Sequence, residues 1–129
     1  MRQLSGGGKT FKQILQTIVE QTPGGRSAIL MGCDGIAVDS FCQDVTSGDG
    51  GQAVVVEFAT IVKEVAHMAS LLTVGELEEI TVQCEQLTII LTMLTPEYFV
   101  ALLLDKDGVT AKGRYVLRRD NHLLRAALE

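Results

Sequence analysis

The order of hydrophobic repeats along the chain is the feature that most constrains its fold. An amphipathic helical repeat comes first, followed by two short β-like runs, a long helical repeat, three more β-like runs and a final helical repeat. Helices place apolar residues every three or four positions, whereas strands alternate between two faces or read as continuous apolar runs when both faces are covered. The pattern therefore predicts an α+β domain with the element order α-ββ-α-βββ-α.

The boundaries of the predicted elements follow from local stop and start signals. Thr10 suits the N-cap of the first helix, and Pro23-Gly24-Gly25 ends the segment after it. Asp34-Gly35 suits a type I′ hairpin turn, which needs positive φ at both central residues. We predict helices over residues 11–20 and 52–72, strands over 27–33, 36–41, 79–84, 87–94 and 98–104, a Gly-rich loop over 43–51, and a final helix whose apolar stripe spans 116–128.

The long helical repeat carries an apolar residue where a solvated one is expected. Val56 stands on its polar side, among Glu57, Thr60, Lys63, Glu64 and His67. An apolar residue in that position indicates an interface. The residues predicted to face the core are Val54, Val55, Phe58, Ile61, Val62, Val65, Met68, Ala69 and Leu72.

The predicted strands differ in whether one or both of their faces are apolar. Residues 98–104 are apolar on both faces, which predicts a central strand between layers of helices. Residues 79–84 alternate between apolar and polar side chains, and the segment starts within a run of glutamates at positions 76, 78 and 79. Charged residues of this kind are typical of an edge strand, where they oppose edge-to-edge aggregation.

The composition predicts one domain over residues 10–129, preceded by a flexible Gly-rich leader over residues 1–9. The chain has 129 residues, of which 47% are hydrophobic. A chain of this length can bury roughly two-thirds of its unfolded surface in a single core. No internal repeat and no second domain is indicated.

The charge of the chain is unevenly distributed. The net charge is -5, yet residues 106–125 hold six of the eleven basic residues. The basic final helix is compatible with a solvated face, an acidic protein partner or an anionic membrane surface. An overall pI near 5.0 argues against nucleic acid as a partner.

Neither membrane insertion nor an oxidising compartment is expected from the sequence. Polar residues interrupt the apolar stretches well short of the ~18 residues that a membrane helix needs. Cys33, Cys42 and Cys84 are odd in number and lack the spacing of metal ligands, so we predict reduced, buried thiols on strands. These features predict a cytoplasmic protein.

The candidate sites for chemistry have weak support. Ser5-Gly6-Gly7-Gly8-Lys9-Thr10 is similar to the end of a phosphate-binding loop, but Gln3 stands where that motif needs Gly, and we expect no strand before it. The two histidines, His67 and His122, are not predicted to lie near a cysteine that they could activate. We therefore expect no catalytic residue, no metal site and no cofactor.

Several segments resemble the roadblock family, the dynein-light-chain-related domains, and in particular its bacterial gliding-motility (Mgl-type) branch of GTPase activators. They are the first helix, the hairpin over residues 28–38 with its Asp34-Gly35-Ile36 turn, the long helix, and the ending Lys112-Gly113-Arg114-Tyr115-Val116-Leu117. The resemblance covers residues 10–128. It implies a profilin-like, five-stranded antiparallel sheet with the long helix on one face and the two terminal helices on the other.

The resemblance also implies an interface and a function. Family members usually form homodimers by pairing their long helices and third-strand edges, which in this chain implies an interface of Val56, Thr60, Lys63, His67, Glu79, Thr81 and Gln83. The implied function is to bind a small Ras-like GTPase and bias its switch conformation without donating a catalytic arginine. Such a protein is not itself an enzyme. The alternative is a structural adaptor without effect on GTP hydrolysis.

Overall fold

In the part of the chain that the structure describes, three helices combine with one five-stranded antiparallel sheet, as the sequence predicts. The computed structural model describes residues 9–43 and 50–129. The strand order is β2-β1-β5-β4-β3. The elements are α1 (Phe11–Glu20), β1 (Gly25–Gly32), β2 (Ala37–Cys42), α2 (Gln52–Leu71), β3 (Glu79–Gln83), β4 (Leu87–Thr95), β5 (Tyr98–Asp105) and α3 (Thr110–Leu128). The predicted leader, apart from Lys9, and most of the predicted loop over 43–51 lie outside the described residues.

The sheet separates two hydrophobic clusters. The α1 and α3 helices pack on one face, where Leu15, Leu102 and Leu117 belong to one cluster. The α2 helix packs on the other face, where Val62 and Phe99 belong to the second cluster. Residues 99–104 of β5 are all buried, which confirms the predicted central strand.

The first helix begins as its sequence predicts. Thr10 accepts a hydrogen bond from the Gln13 backbone N–H through its side chain, and the Gln13 side chain accepts one from the Thr10 backbone N–H. This reciprocal arrangement is a capping box, which satisfies two backbone donors at the start of a helix. The helix is thereby fixed at the residue where its apolar repeat begins.

The turn between β1 and β2 is not of the predicted type. Among the described residues other than glycine, only Thr73 has a positive φ, so Asp34 does not have the positive φ that a type I′ turn requires. The Gly35 N–H instead donates to the Gly32 carbonyl, and the Asp34 side chain accepts a bond from the Ile36 N–H. This is a type I turn followed by a glycine bulge, since Gly35 alone adopts a φ of 88°.

None of the three cysteines is buried as predicted, and of the three only Cys42 lies on a strand. Cys33 is half-buried in the hairpin turn, and Cys84 is exposed in the connection after β3. Cys42 lies on β2 and is half-buried. Two strands therefore end one residue earlier than their apolar pattern indicates.

The end of α2 contains a strained residue. Thr73 has a φ of 53° and occupies the position after the C-cap, where its N–H donates to the Ser70 carbonyl and the Val74 N–H donates to the Ala69 carbonyl. This pair of bonds is a Schellman motif, in which glycine is the usual residue at the left-handed position. A β-branched side chain in that conformation is strained by roughly 1–2 kcal/mol.

We therefore expect Thr73→Gly to stabilise the fold, by about 1 kcal/mol, since the strain is removed although the unfolded chain becomes more flexible. Denaturant unfolding should show a higher midpoint at unchanged slope. Ser70→Gly is the matched control, because it places the same residue inside the helix and should destabilise by about 0.5–1 kcal/mol. A lower midpoint for Thr73→Gly would show that Thr73 is not strained.

Candidate functional site: an open sheet edge and an exposed apolar line

The two edges of the sheet differ in their ability to pair with another strand. At the β2 edge, the register with β1 is interrupted at Val38, which leaves one residue bulged. The Ser40 N–H is bound by the Asp39 carboxylate and the Ser40 carbonyl by the Lys12 ammonium. Bulges and charged side chains of this kind block edge pairing. The β2 edge is therefore occupied by groups of its own protomer.

The β3 edge, in contrast, presents backbone groups to the outside. The Glu78 carbonyl accepts from the Met93 N–H at 2.9 Å, and the Cys84 N–H donates to the Leu87 carbonyl at 2.8 Å. Hydrogen bonding alternates along an antiparallel strand, so the even-numbered residues of β3 bond to β4. The backbone groups of Glu79, Thr81 and Gln83 point away from the sheet. These three are the β3 residues that the family resemblance implies at an interface.

The charge of Glu79 at this edge is neutralised within the protomer. Arg114 of α3 donates from Nε to Glu79 Oε2 and from Nη2 to Thr81 Oγ1, both at 2.9 Å. Thr81 Oγ1 in turn donates to Glu79 Oε2 at 3.0 Å. We name this set the Arg114 clasp. It holds α3 to the edge strand and removes the like-charge repulsion that two bare Glu79 carboxylates would cause near each other.

Sequence reasoning did not find Arg114 as part of this site. The two partners are 35 positions apart, and no local pattern connects a helix residue to a strand residue at that separation. The available signal was the surplus of glutamates at β3 and of arginines on α3, which indicates attraction without naming a pair.

A line of apolar side chains follows the side of α2 that is not packed on the sheet. Only Val55, Ala59 and Val62 of this helix are buried, so the predicted core face is wrong for Val54, Ile61, Met68 and Leu72, which are exposed. A single straight helix on a sheet buries only a narrow stripe. We name as the apolar line those exposed residues together with the half-buried ones between them, namely Val54, Phe58, Ile61, Val65, Met68 and Leu72.

The spacing within the apolar line is that of a helix-pairing seam. Its members are separated alternately by four and three positions, which is the repeat of coiled-coil contacts. Val54 lies with Leu87 of β4 along one cavity wall. Leu77 lies just before β3 and Ile80 lies on it. Both pack against the hydrophobic cluster between α2 and the sheet. Because Val56, on the opposite flank, lies beside the β1–β2 hairpin, the apolar line runs along the flank of α2 that faces away from that hairpin, towards β4 and β3.

The α2 residues predicted at the interface lie on the other flank. Val56, Thr60, Lys63 and His67 are all exposed. The Val56 side chain lies beside Gly35 of the β1–β2 hairpin, within 3.7 Å of where a Gly35 Cβ would stand. The structure thus does not bring these four residues together with Glu79, Thr81 and Gln83, and their place at an interface stays a prediction.

Candidate groups for chemistry lie apart from one another. His67 is exposed on α2 and His122 is exposed on α3, on opposite faces of the sheet. Burial raises the pKa of the Cys33 thiol, and the nearby Lys63 opposes this only in part. A thiol with a raised pKa is a poor nucleophile at neutral pH. Within residues 9–43 and 50–129, no three metal-ligating side chains are grouped to hold an ion.

The basic side of α3 is largely engaged by the protein itself. Arg114 binds Glu79, Arg119 forms an ion pair with the neighbouring Asp120, and Arg125 donates to the Leu94 carbonyl.

In the part of the chain that the structure describes, no helix is both long and apolar enough to cross a bilayer.

Comparison with solved structures places this geometry in a family. The chain is 34% identical to MglC from Myxococcus xanthus, with a TM-score of 0.65, over 90% of this chain and 97% of that one. The chain is a roadblock domain of the Mgl-type branch. No protein-family model and no curated protein matches this roadblock domain.

Two other structures support the fold alone, because their sequence identity is low. The Roadblock/LC7 domain from Streptomyces avermitilis is 15% identical, with a TM-score of 0.80 over 93% of this chain and 98% of that one. The gliding protein MglB from Thermus thermophilus is 16% identical, with a TM-score of 0.80 over 98% of this chain and 94% of that one. The predicted fold and sheet topology are therefore confirmed, and the 34% identity to MglC confirms the predicted family.

Proposed function

We propose that this roadblock domain is a non-enzymatic, cytoplasmic regulator that acts as a homodimer on a small Ras-like GTPase and biases its switch conformation. The observation that carries the proposal is the 34% identity to MglC along nearly the whole of both chains. The open β3 edge and the apolar line supply surfaces for assembly, and the scattered histidines and cysteines supply no arrangement for catalysis among the described residues.

The proposed dimer joins two β3 edges in antiparallel orientation with Thr81 on the twofold axis. In this register all three outward-facing residues bond to the partner, since Thr81 faces its own copy and Glu79 faces Gln83 of the partner subunit. Moving the twofold axis by one residue, to Ile80 or to Val82, leaves one of these three residues without a bonded neighbour among them. The register also keeps the two Glu79 carboxylates apart, and the Arg114 clasp neutralises each of them.

The same axis brings the two apolar lines together. In antiparallel packing, Ile61 contacts Val65 of the partner subunit near the axis. Further out, Phe58 contacts Met68 of the partner subunit, and Val54 contacts Leu72 of the partner subunit. Each pair removes apolar surface from water, which stabilises the dimer by roughly 25 cal/mol per Å² of buried area. Sheet pairing supplies direction and register, and the apolar line supplies most of the association free energy.

We expect the domain to bind its cognate GTPase more tightly in the GTP form than in the GDP form. A regulator that binds both forms equally cannot shift the equilibrium between them. Titration calorimetry with a GTPase loaded with GDP or with a non-hydrolysable GTP analogue measures the difference. Equal affinity for both forms would favour the structural adaptor.

A separate experiment tests whether the domain biases the switch conformation of the GTPase without donating a catalytic arginine. Arg26, Arg114, Arg118, Arg119 and Arg125, changed singly to Ala, should lower GTP hydrolysis only as far as they lower binding. An inserted arginine would instead be expected to cost about a thousandfold or more in rate at saturation. A variant that binds the GTPase with unchanged affinity but no longer raises its rate of GTP hydrolysis would identify an inserted arginine. That result would overturn the proposal that the domain acts only on the switch conformation.

A further inference from the structure

Arg118 is the arginine of α3 that the fold leaves without a partner. It is exposed and makes no hydrogen bond or ion pair within the described residues, whereas Arg114, Arg119 and Arg125 each bind an acceptor. Glu85, in the connection between β3 and β4, is likewise exposed and without an ion pair in that part of the chain.

The position of Arg118 follows from the residues on either side of it along α3. Arg114, one turn earlier, reaches Glu79, and Arg125, two turns later, reaches the Leu94 carbonyl. Since residues four apart share a helix face, Arg118 points towards the same edge as Arg114 but one turn further along. It lines a groove of about 1070 Å³ together with Leu77 and Glu78, just beyond the start of β3.

The proposed register brings Glu85 of the partner subunit to this groove. Glu79 faces Gln83 of the partner subunit in this register, so Glu85 of the partner subunit, two residues past that strand end, lies on the side of Leu77, two residues before β3 begins. The groove wall already carries Glu76, Glu78 and Glu79, of which only Glu79 is paired. A carboxylate of the partner subunit would be repelled by these glutamates unless a cation binds it. Arg118 is the cation of the groove that binds no group of its own protomer.

We propose that Arg118 binds the carboxylate of Glu85 of the partner subunit, so that two symmetric ion pairs flank the joined β3 edges. The inference rests on the proposed homodimer and adds to it the contact that lets two acidic edges meet. Arg118 thereby selects a partner edge that carries a carboxylate just past its strand. The bond is intermolecular, which explains why both groups are unpaired in one protomer.

A charge swap tests this pair. Sedimentation velocity on the full chain gives the dimer dissociation constant for Arg118→Glu, Glu85→Arg and the double variant. Each single reversal should weaken the dimer by about tenfold or more, because two pairs per dimer change from attractive to repulsive. The double variant should return to within about threefold of the wild type, since the pairs are restored with reversed sign. Both residues are exposed, so each variant should keep the wild-type fold, which far-UV circular dichroism checks.

Lys106→Glu is the matched control, because Lys106 is exposed in the turn after β5 and the substitution makes the same charge change. It should leave the dissociation constant within about twofold and should not rescue Glu85→Arg. A monomeric wild type would overturn the dimer and the ion pair together. A dimer whose double variant stays as weak as the single ones would overturn the ion pair alone.

Discussion

We expect Ile61→Glu to convert the roadblock dimer into a monomer at micromolar concentration. Ile61 lies in the middle of the apolar line with a relative exposure of 43%, and the proposed axis passes beside it. Two carboxylates would be buried without partners at the centre of the contact, at a cost of about 3 kcal/mol or more. Light scattering over a concentration series should then show a dissociation constant raised by roughly a hundredfold or more.

Val56→Glu is the matched control for this substitution. Val56 has nearly the same exposure, 39%, and lies on the opposite flank of α2 beside the hairpin. A dimer that survives Val56→Glu but not Ile61→Glu would locate the contact on the apolar line. Dissociation by Val56→Glu alone would locate it on the flank predicted from the sequence, with Thr60, Lys63 and His67.

We expect Gly113→Leu to destabilise the fold by about 3 kcal/mol, because this buried glycine of α3 lies close against the sheet. A Cβ added there would lie 3.2 Å from both Ile90 Cδ1 and Leu102 Cδ2 and 3.3 Å from Thr22 Cγ2. A whole leucine side chain would push the helix off the sheet. Thermal unfolding should show a midpoint lower by roughly 10 °C.

Gly113→Ala separates packing from helix propensity. Alanine and leucine have similar propensities, each about 1 kcal/mol better than glycine, so the two variants differ mainly in volume. The single methyl group of alanine meets only side-chain ends that can shift, so stability should change by less than about 1 kcal/mol. Equal stability of the alanine and leucine variants would refute the close approach.

The Gly113→Leu variant should also weaken the dimer beyond its effect on folding. Arg114 is the next residue, and its reach to Glu79 depends on how closely α3 lies against the sheet. A displaced helix would release the Arg114 clasp and expose the Glu79 charge at the joined edge. The dissociation constant, measured well below the unfolding temperature, reports this effect separately.

Local sequence signals predicted most of the elements, because their causes act over a few residues. Thr10 and Gln13 fix the start of α1 through bonds between neighbours, and the six buried residues of β5 form an uninterrupted apolar run. Asp34-Gly35 marked the hairpin correctly. Its turn type was wrong because a dipeptide alone does not distinguish a two-residue turn from a type I turn followed by a glycine bulge.

The faces of α2 could not be predicted in the same way. Apolar residues occupy both the stripe that packs on the sheet and the neighbouring line, and their period is the same in both cases. Burial separates them only because Val55 and Val62 meet the sheet, whereas Ile61 and Met68 do not. Which apolar residues a helix leaves exposed depends on the direction in which it crosses the strands.

The sequence by itself determined the element order, the central position of β5, the edge position of β3 and the family resemblance, since these depend on repeats and caps within short segments. Only the tertiary structure decided which edge is open, which flank of α2 carries the apolar line, and that Arg114 neutralises Glu79 while Arg118 stays unpaired. These features join residues that are distant along the chain. Their geometry is set by packing across the sheet, and no local pattern encodes it.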